Sequence, residues 1–168
     1  MFLRGSRGGE VAGVISIHGA REFGVEWAGK VRLDLSFDDV EMAAGDVRAL
    51  QRALSRKRWA ERNGLVEVGP DRANVEAIVR FAEAARDLEG AVLCHCGGGM
   101  SRAPAAALIC LAVWLGEGME ELAAAEMRAV RPAAVPHEGL VRMGDEVLGR
   151  RGKLVGAVRG EVKDGGAG

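Results

Sequence analysis

Cysteine is scarce in this 168-residue chain, with three residues at spacings that build no disulfide framework. Such sparse usage fits a reducing compartment, so a cytoplasmic location is expected. Long hydrophobic runs are missing too. No stretch of about 18 or more apolar residues occurs, which leaves no candidate for a membrane-spanning helix. Residues Met1 to Glu10 carry arginines and glycines but no apolar segment ahead of a cleavage site, so no secretory signal is expected. An excess of charge is also lacking. The 23 Lys and Arg against 24 Asp and Glu leave a net charge of −1, with no overall drive toward nucleic acid or a membrane surface. There is no internal repeat and no second core pattern. The length suits one domain, with its core over about residues 11–152 and loose ends at 1–10 and 153–168.

What is present concentrates in one stretch, Ala91-Val-Leu-Cys-His-Cys-Gly-Gly-Gly-Met-Ser-Arg-Ala-Pro104. A short apolar run ends at His95-Cys96, three glycines follow, and an apolar helical segment begins near Arg102. A strand that turns through glycines into a helix aims backbone N–H groups and the positive end of the helix dipole at one point. That is an anion site, with Cys96 at its floor and Arg102 on its wall. The same field stabilises a thiolate: a free thiol titrates near about 8.5, and helix N-termini or cationic neighbours lower that value. The pattern therefore predicts a nucleophile and an oxyanion cradle together. A metal site built on Cys94, His95 and Cys96 is the competing reading, but no second pair of ligands lies at zinc-like spacing. Cys110 falls inside an apolar helix, and His18 and His137 stand alone. Cys94 alternates with Cys96 on the strand and reads as a small buried side chain.

These residues resemble the signature of the cysteine-dependent phosphatases, the protein tyrosine and dual-specificity phosphatase superfamily: His-Cys, five residues, then Arg. His95, Cys96, Gly99, Ser101 and Arg102 match it position by position. Ala103 departs from it, since many members carry a second hydroxyl residue there. The wider context, Phe37-Asp-Asp-Val40 upstream and Arg131-Pro-Ala-Ala-Val-Pro136 downstream, looks most like the small bacterial-type tyrosine phosphatases. It extends the resemblance loosely over residues 11–154.

Along the chain, Val11-Ala-Gly-Val-Ile-Ser-Ile17 is β-branched and reads as the first core strand. Gly19 to Gly29 is loop-like, with Phe23 and Trp27 expected to pack it down. Val31, Leu33, Leu35 and Phe37 alternate with Arg32, Asp34 and Ser36, a strand with one apolar face that ends at Asp38-Asp39. In open α/β sheets, sites gather beyond the carboxyl ends of strands. Val47, Leu50 and Leu54 share one helical face and Arg48, Arg52 and Arg56 another, with Lys57 and Arg58 extending a basic segment over 48–58. A solvated amphipathic helix is the plain reading, and a basic lid for acidic phosphosubstrates the alternative. Asn63-Gly64 marks a turn, and Leu65 to Val68 a short strand or a connector.

Asp71 is placed to cap a helix carrying Val75, Ile78, Ala82, Ala85 and Leu88 down to a stop at Gly90. After the signature loop, Ala105 to Leu115 is apolar all round, which predicts a buried central helix with Pro104 in its first turn. Gly116-Glu-Gly118 breaks it. Met119, Leu122, Ala123, Met127 and Val130 mark another helix, and Glu138 to Leu148 a last one closing at Gly149. The expected fold is α/β: a mostly parallel central sheet flanked by helices, tyrosine-phosphatase-like, with the phosphate loop between a strand and the buried helix.

The resemblance implies that Cys96 attacks phosphorus to form a cysteinyl-phosphate. It also implies that the backbone N–H groups of Gly97, Gly98, Gly99, Met100, Ser101 and Arg102, with the bidentate Arg102 guanidinium, bind the oxyanion. His95 supports the loop, and Ser101 is expected to hydrogen-bond the thiolate. A carboxylic acid must protonate the leaving oxygen. Asp39 is the choice, with adjacent Asp38 and cap residue Asp71 as alternatives. No metal or other cofactor is implied. Partners are a phosphorylated protein or small phosphomonoester, with phosphotyrosine implied at family level. The loop has no lysines to clasp extra phosphates, so phosphoinositides are not favoured. Three alternatives remain: a rhodanese-like phosphatase, which would not use Asp39 this way; a non-catalytic phosphate-binding pseudophosphatase; and a thiol redox protein using Cys94 and Cys96. Two residues apart on a strand lie near the limit of disulfide geometry, at about 7 Å.

Overall fold

The computed structural model of the chain describes residues 2–3, 10–19, 31–40, 51, 55, 58–59, 61–64 and 67–160. Four described strands form one sheet in the order β1-β4-β2-β3, with β1 Phe2–Leu3, β2 Val11–His18, β3 Val31–Ser36 and β4 Ala91–His95. The middle strand β2 pairs in parallel with both neighbours, so that Ile15 faces Leu33 on one side and Cys94 on the other. A helix, Arg72–Ala84, lies in the connection from β3 to β4, while residues 20–30 between β2 and β3 lie outside the described residues. Strand β1 adds to β4 in the antiparallel sense. Phe2 and Leu3 therefore do not belong to a loose end.

Five complete helices are described: α1 Arg72–Ala84, α2 Arg102–Leu115, α3 Glu120–Val130, α4 Glu138–Val147 and α5 Lys153–Arg159. Helix α1 opens on the cap expected from the sequence. The Asp71 side chain accepts from Asn74 N, and the Asn74 side chain accepts from Asp71 N, a reciprocal capping box. The helix ends at Ala84, short of Leu88, and the chain turns before Gly90. Gly90 has a positive φ of 119°, and a Cβ there would meet the Glu10 carbonyl at 2.7 Å. Glycine is required where these two backbones approach.

Helix α2 is the centre of the molecule. Every residue from Arg102 to Val113 is buried, as its all-round apolar character predicts. Ala103, Ala105, Ala106, Ala107 and Ala112 let neighbouring elements approach closely, and Ile15, Ile17, Ile78, Leu108, Met127 and Leu140 complete the core. Two side chains from outside the helix serve its last turn, Arg86 Nη2 donating to Val113 O at 2.9 Å and Arg150 Nη2 to Ala112 O at 3.0 Å, and the helix's own Trp114 Nε1 braces it by donating to Ala82 O at 2.7 Å. Cationic donors at a helix C-terminus both satisfy carbonyls and oppose the dipole.

The expectation of a loose tail from residue 153 is corrected over Lys153–Arg159. Those residues form helix α5, with Leu154 and Ala157 buried. The reason is a cap supplied from the preceding helix. Asp145, itself buried, accepts from Gly152 N at 2.6 Å, Leu154 N at 2.8 Å and Val155 N at 3.4 Å. Arg128 Nη2 closes the other end on the Ala157 and Val158 carbonyls at 3.0 and 2.6 Å. Phe23, Trp27, the apolar face Val47, Leu50 and Leu54, and the basic residues Arg48, Arg52, Arg56 and Lys57 lie outside the described residues. Of the same segment, Gln51, Ser55, Arg58, Trp59, Glu61 and Arg62 are helical and exposed. No helix among the described residues is long and apolar enough to cross a membrane.

Replacing Asp145 by Ala strands three backbone donors at the start of α5, that of Leu154 buried, a loss worth about 1–3 kcal/mol. The expected outcome is a lower urea midpoint with an unchanged m-value. A midpoint within error of wild type would refute the capping role.

Candidate active site

Strand β4 ends at His95, and the chain runs through Cys96 to Ser101 without regular structure before α2 begins at Arg102. Gly99 takes a positive φ of 63°, and a Cβ built on Gly98 or Gly99 would meet nothing within 4 Å. The loop is therefore bare over its middle. Cys96 is half-buried and packs against the edge of the core. Arg102 is buried at 5% exposure, and its Nη1 donates to Phe37 O at 2.9 Å. Ser101 occupies the N-cap position of α2, yet its side chain makes no capping bond. Its Oγ instead donates to Asp39 Oδ1 at 2.8 Å. A carboxylate draws a hydroxyl more strongly than a neutral amide oxygen or sulfur does. The hydroxyl expected to face the cysteine thus faces the expected acid.

The segment Phe37 to Val40 reaches this loop from the end of β3. Its first two residues are tied down. Phe37 N donates to His18 O at 3.0 Å, Asp38 N to Val68 O at 2.7 Å, and Val68 N returns a bond to Asp38 Oδ2 at 3.0 Å. Gly19 packs beneath, where a Cβ would collide with the Asp38 carboxylate and come within 3.8 Å of Arg102 Nη1. The three candidate acids therefore separate by what they hold. Asp71 caps α1, Asp38 staples the segment to Val68, and Asp39 turns to the Cys96–Arg102 loop with its side chain 37% exposed.

The stretch that follows α3 forms the opposite wall. Val135 N donates to Met100 O at 2.9 Å, His137 N to Ser101 O at 3.1 Å, and Arg131 Nη2 lies 3.4 Å from Met100 Sδ. His137 is 1% exposed; its Nε2 lies 3.0 Å from Val40 O and 3.9 Å from Asp39 Oδ1. In the sequence His137 stands isolated and Gly19 opens a loop-like stretch. Pro136-His137 just ahead of a helical pattern was the one available signal for the first, since His137 caps α4 by accepting from Leu140 N.

Cys94 belongs to β4, whereas Cys96 lies just beyond the strand's end. The Cys94 side chain is fully buried beside Cys110, whose thiol a hydrogen bond with Cys94 and burial together push well up. Neither supports redox pairing with Cys96. Among the described residues, no three His, Cys, Asp or Glu side chains are grouped to hold a metal ion. His95 is partly buried with its Nε2 enclosed and lacking a hydrogen-bond partner, and burial, with the Arg32 charge adding, holds the imidazole below its usual value. Across the sheet, the Arg32 guanidinium, hydrogen-bonded at 2.6 and 2.7 Å, keeps the Asp34 carboxyl below its ordinary range.

No protein-family model, curated protein or solved structure matches this chain.

The depressed His95 value has a definite sign. Below the ordinary histidine value of 6.5 the unfolded chain takes a proton that the fold refuses, so stability is full above that value. It falls as pH drops, until the folded imidazole itself charges. Asp34 acts only in the carboxylate range, well below this window. Denaturant titrations at pH 7.5 and 5.5 should show wild type losing stability on acidification and His95→Gln losing less. Equal losses would contradict the assignment.

Proposed function

We propose that the chain is a phosphoric monoester hydrolase working through a cysteinyl-phosphate, a protein tyrosine phosphatase of cytoplasmic type. The observation that carries this reading is the 2.8 Å hydrogen bond from Ser101 to Asp39 across 62 residues of sequence. It brings a carboxyl group to a glycine-rich strand-to-helix loop that already holds a cysteine and a buried arginine. Nucleophile, cationic clamp and acid are the three groups that phosphate ester hydrolysis without a metal needs.

In the proposed reaction the Cys96 sulfur attacks phosphorus in line, and the bond to the leaving oxygen breaks as Asp39 gives it a proton. Backbone N–H groups from Gly97 to Arg102 and the Arg102 guanidinium bind the non-bridging oxygens. The start of α2, where the N-cap Ser101 side chain makes no capping bond, suits an anion for the same reason. Asp39, now a carboxylate, takes a proton from water as that water attacks the phosphocysteine. The sulfur–phosphorus bond breaks and inorganic phosphate leaves. Ser101 acts in this scheme by holding Asp39 in place. The open space beside Gly98 and Gly99 suits a bulky ester such as phosphotyrosine.

Hydrolysis of p-nitrophenyl phosphate in chelator and reductant is the direct test. Cys96→Ser should reduce turnover by more than about a hundredfold, in line with loss of a covalent route, while phosphate or vanadate still binds. Residual turnover within tenfold of wild type would remove Cys96 from the chemistry. A wild-type protein that binds vanadate without turnover would be a phosphate-binding module instead.

Asp39→Asn tests the acid. General acid catalysis contributes about 10²–10⁴-fold, and its weight grows as the leaving group becomes poorer. The variant should lose far more rate on phenyl phosphate than on p-nitrophenyl phosphate, and the alkaline limb of its pH–rate profile should flatten. If Asp38→Asn or Asp71→Asn shows that dependence instead, the acid is misassigned.

A further inference from the structure

We infer that His137 is the positioning residue that latches the Asp39 segment against the Cys96–Arg102 loop. This rests on the phosphatase reading for its kinetic consequence, but the latch itself is a matter of geometry. His137 touches both walls of the site. Its backbone N donates to Ser101 O at 3.1 Å, and its side chain reaches Val40 O at 3.0 Å, across 97 residues of sequence.

The hydrogen bonds fix which ring nitrogen carries the proton. Nδ1 accepts from Leu140 N at 3.2 Å, so that nitrogen is bare of hydrogen. The hydrogen of the neutral ring then sits on Nε2 and is donated to Val40 O. Both nitrogens are used and the ring is 1% exposed, so it cannot turn without leaving buried polar groups unmatched. Gly139 leaves room for it: a Cβ there would come within 3.1 Å of the imidazole Cε1. Nε2 also lies 3.9 Å from Asp39 Oδ1, the oxygen that accepts from Ser101.

The Asp39 segment needs such a hold. Residues 37–40 belong to no helix or strand, and a carboxyl misplaced by about 1 Å loses much of its effect in proton transfer. Phe37 O and Asp38 fix the start of the segment on Arg102 and Val68. Val40, on the far side of Asp39, is fixed by His137. With both flanks held, Asp39 has one place to be.

Two substitutions separate this role from that of a helix cap. In His137→Asn the side-chain oxygen falls near the position of Nδ1, so Asn still caps α4 through Leu140 N but is too short to reach Val40. In His137→Gln the amide nitrogen falls near Nε2 and regains Val40, while the cap is weakened. The experiment measures kcat and KM for aryl phosphates of graded leaving-group pKa, together with amide hydrogen exchange of residues 37–40. His137→Asn should lower kcat on phenyl phosphate by about tenfold or more, a partial loss of acid catalysis, with little change on p-nitrophenyl phosphate. KM should stay within about threefold, as expected when positioning rather than binding is lost. Exchange over 37–40 should speed up while α4 stays protected, and His137→Gln should restore most of the phenyl phosphate rate. An equal loss on every ester, or failure of Gln to exceed Asn, would overturn the latch. If the wild type hydrolyses no ester, the phosphatase reading fails alone. Exchange then decides the latch: faster exchange over 37–40 in His137→Asn sustains it, and unchanged exchange removes it.

Discussion

A nearly buried arginine governs the arrangement around the β4–α2 turn. Arginine stays charged at any pH the fold survives, and placing such a charge in a protein interior costs several kcal/mol unless acceptors surround it. Arg102 is 95% buried at the first turn of a helix whose own dipole is positive there. Acceptors must therefore come from elsewhere in the chain, and Phe37 supplies a carbonyl at the end of β3. Once Phe37 is drawn to Arg102, Asp39 is two residues from the loop, and Ser101 and His137 complete the closure. An arginine paired in its own helix would have left the carboxylates at the sheet edge with nothing to reach for. The same burial makes Lys a poor substitute, because its compact, strongly hydrated ammonium lacks the planar fork of donors that Arg presents.

The helices divide into those that stand on sequence alone and those that borrow their ends. Helix α1 carries its own capping box, and α2 is buried along nearly its whole length. Helix α5 has a left-handed glycine at each flank and no cap of its own. Its donors are met by Asp145 and its last carbonyls by Arg128, side chains of two different helices. A buried ion pair of the same character, Arg150 to Glu120 at 3.4 Å, ties the end of α2 to the start of α3. The helical half of the molecule is thus cross-braced through its helix termini.

This division accounts for what the sequence discloses. The alternating strand Val31–Ser36, the apolar helix after Arg102, the Asp71 cap and the Gly149 stop are local signals, each written within a few residues, and all are legible. The turn from strand to helix at Cys96–Arg102 is legible for the same reason. Helix α5 and strand β1 were not, because seven and two residues carry too little pattern, and both depend on partners far off in sequence. Ser101 was expected to serve the nearby cysteine; its hydroxyl goes to a carboxylate 62 residues away. The link between His137 and Val40 had no sequence trace at all, since nothing local distinguishes a histidine that caps a helix from one that also reaches across a cleft.

The contacts that close the site join positions 62, 65 and 97 residues apart. Loop-closure entropy makes such contacts dependent on everything between them being ordered. Asp39 is synthesised long before Cys96, and His137 later still. During synthesis the chain holds a cysteine, an arginine and a carboxylate before it holds the residue that fixes their spacing. Whatever the site does, it can do only as a property of the assembled fold, and no fragment ending ahead of α4 contains it.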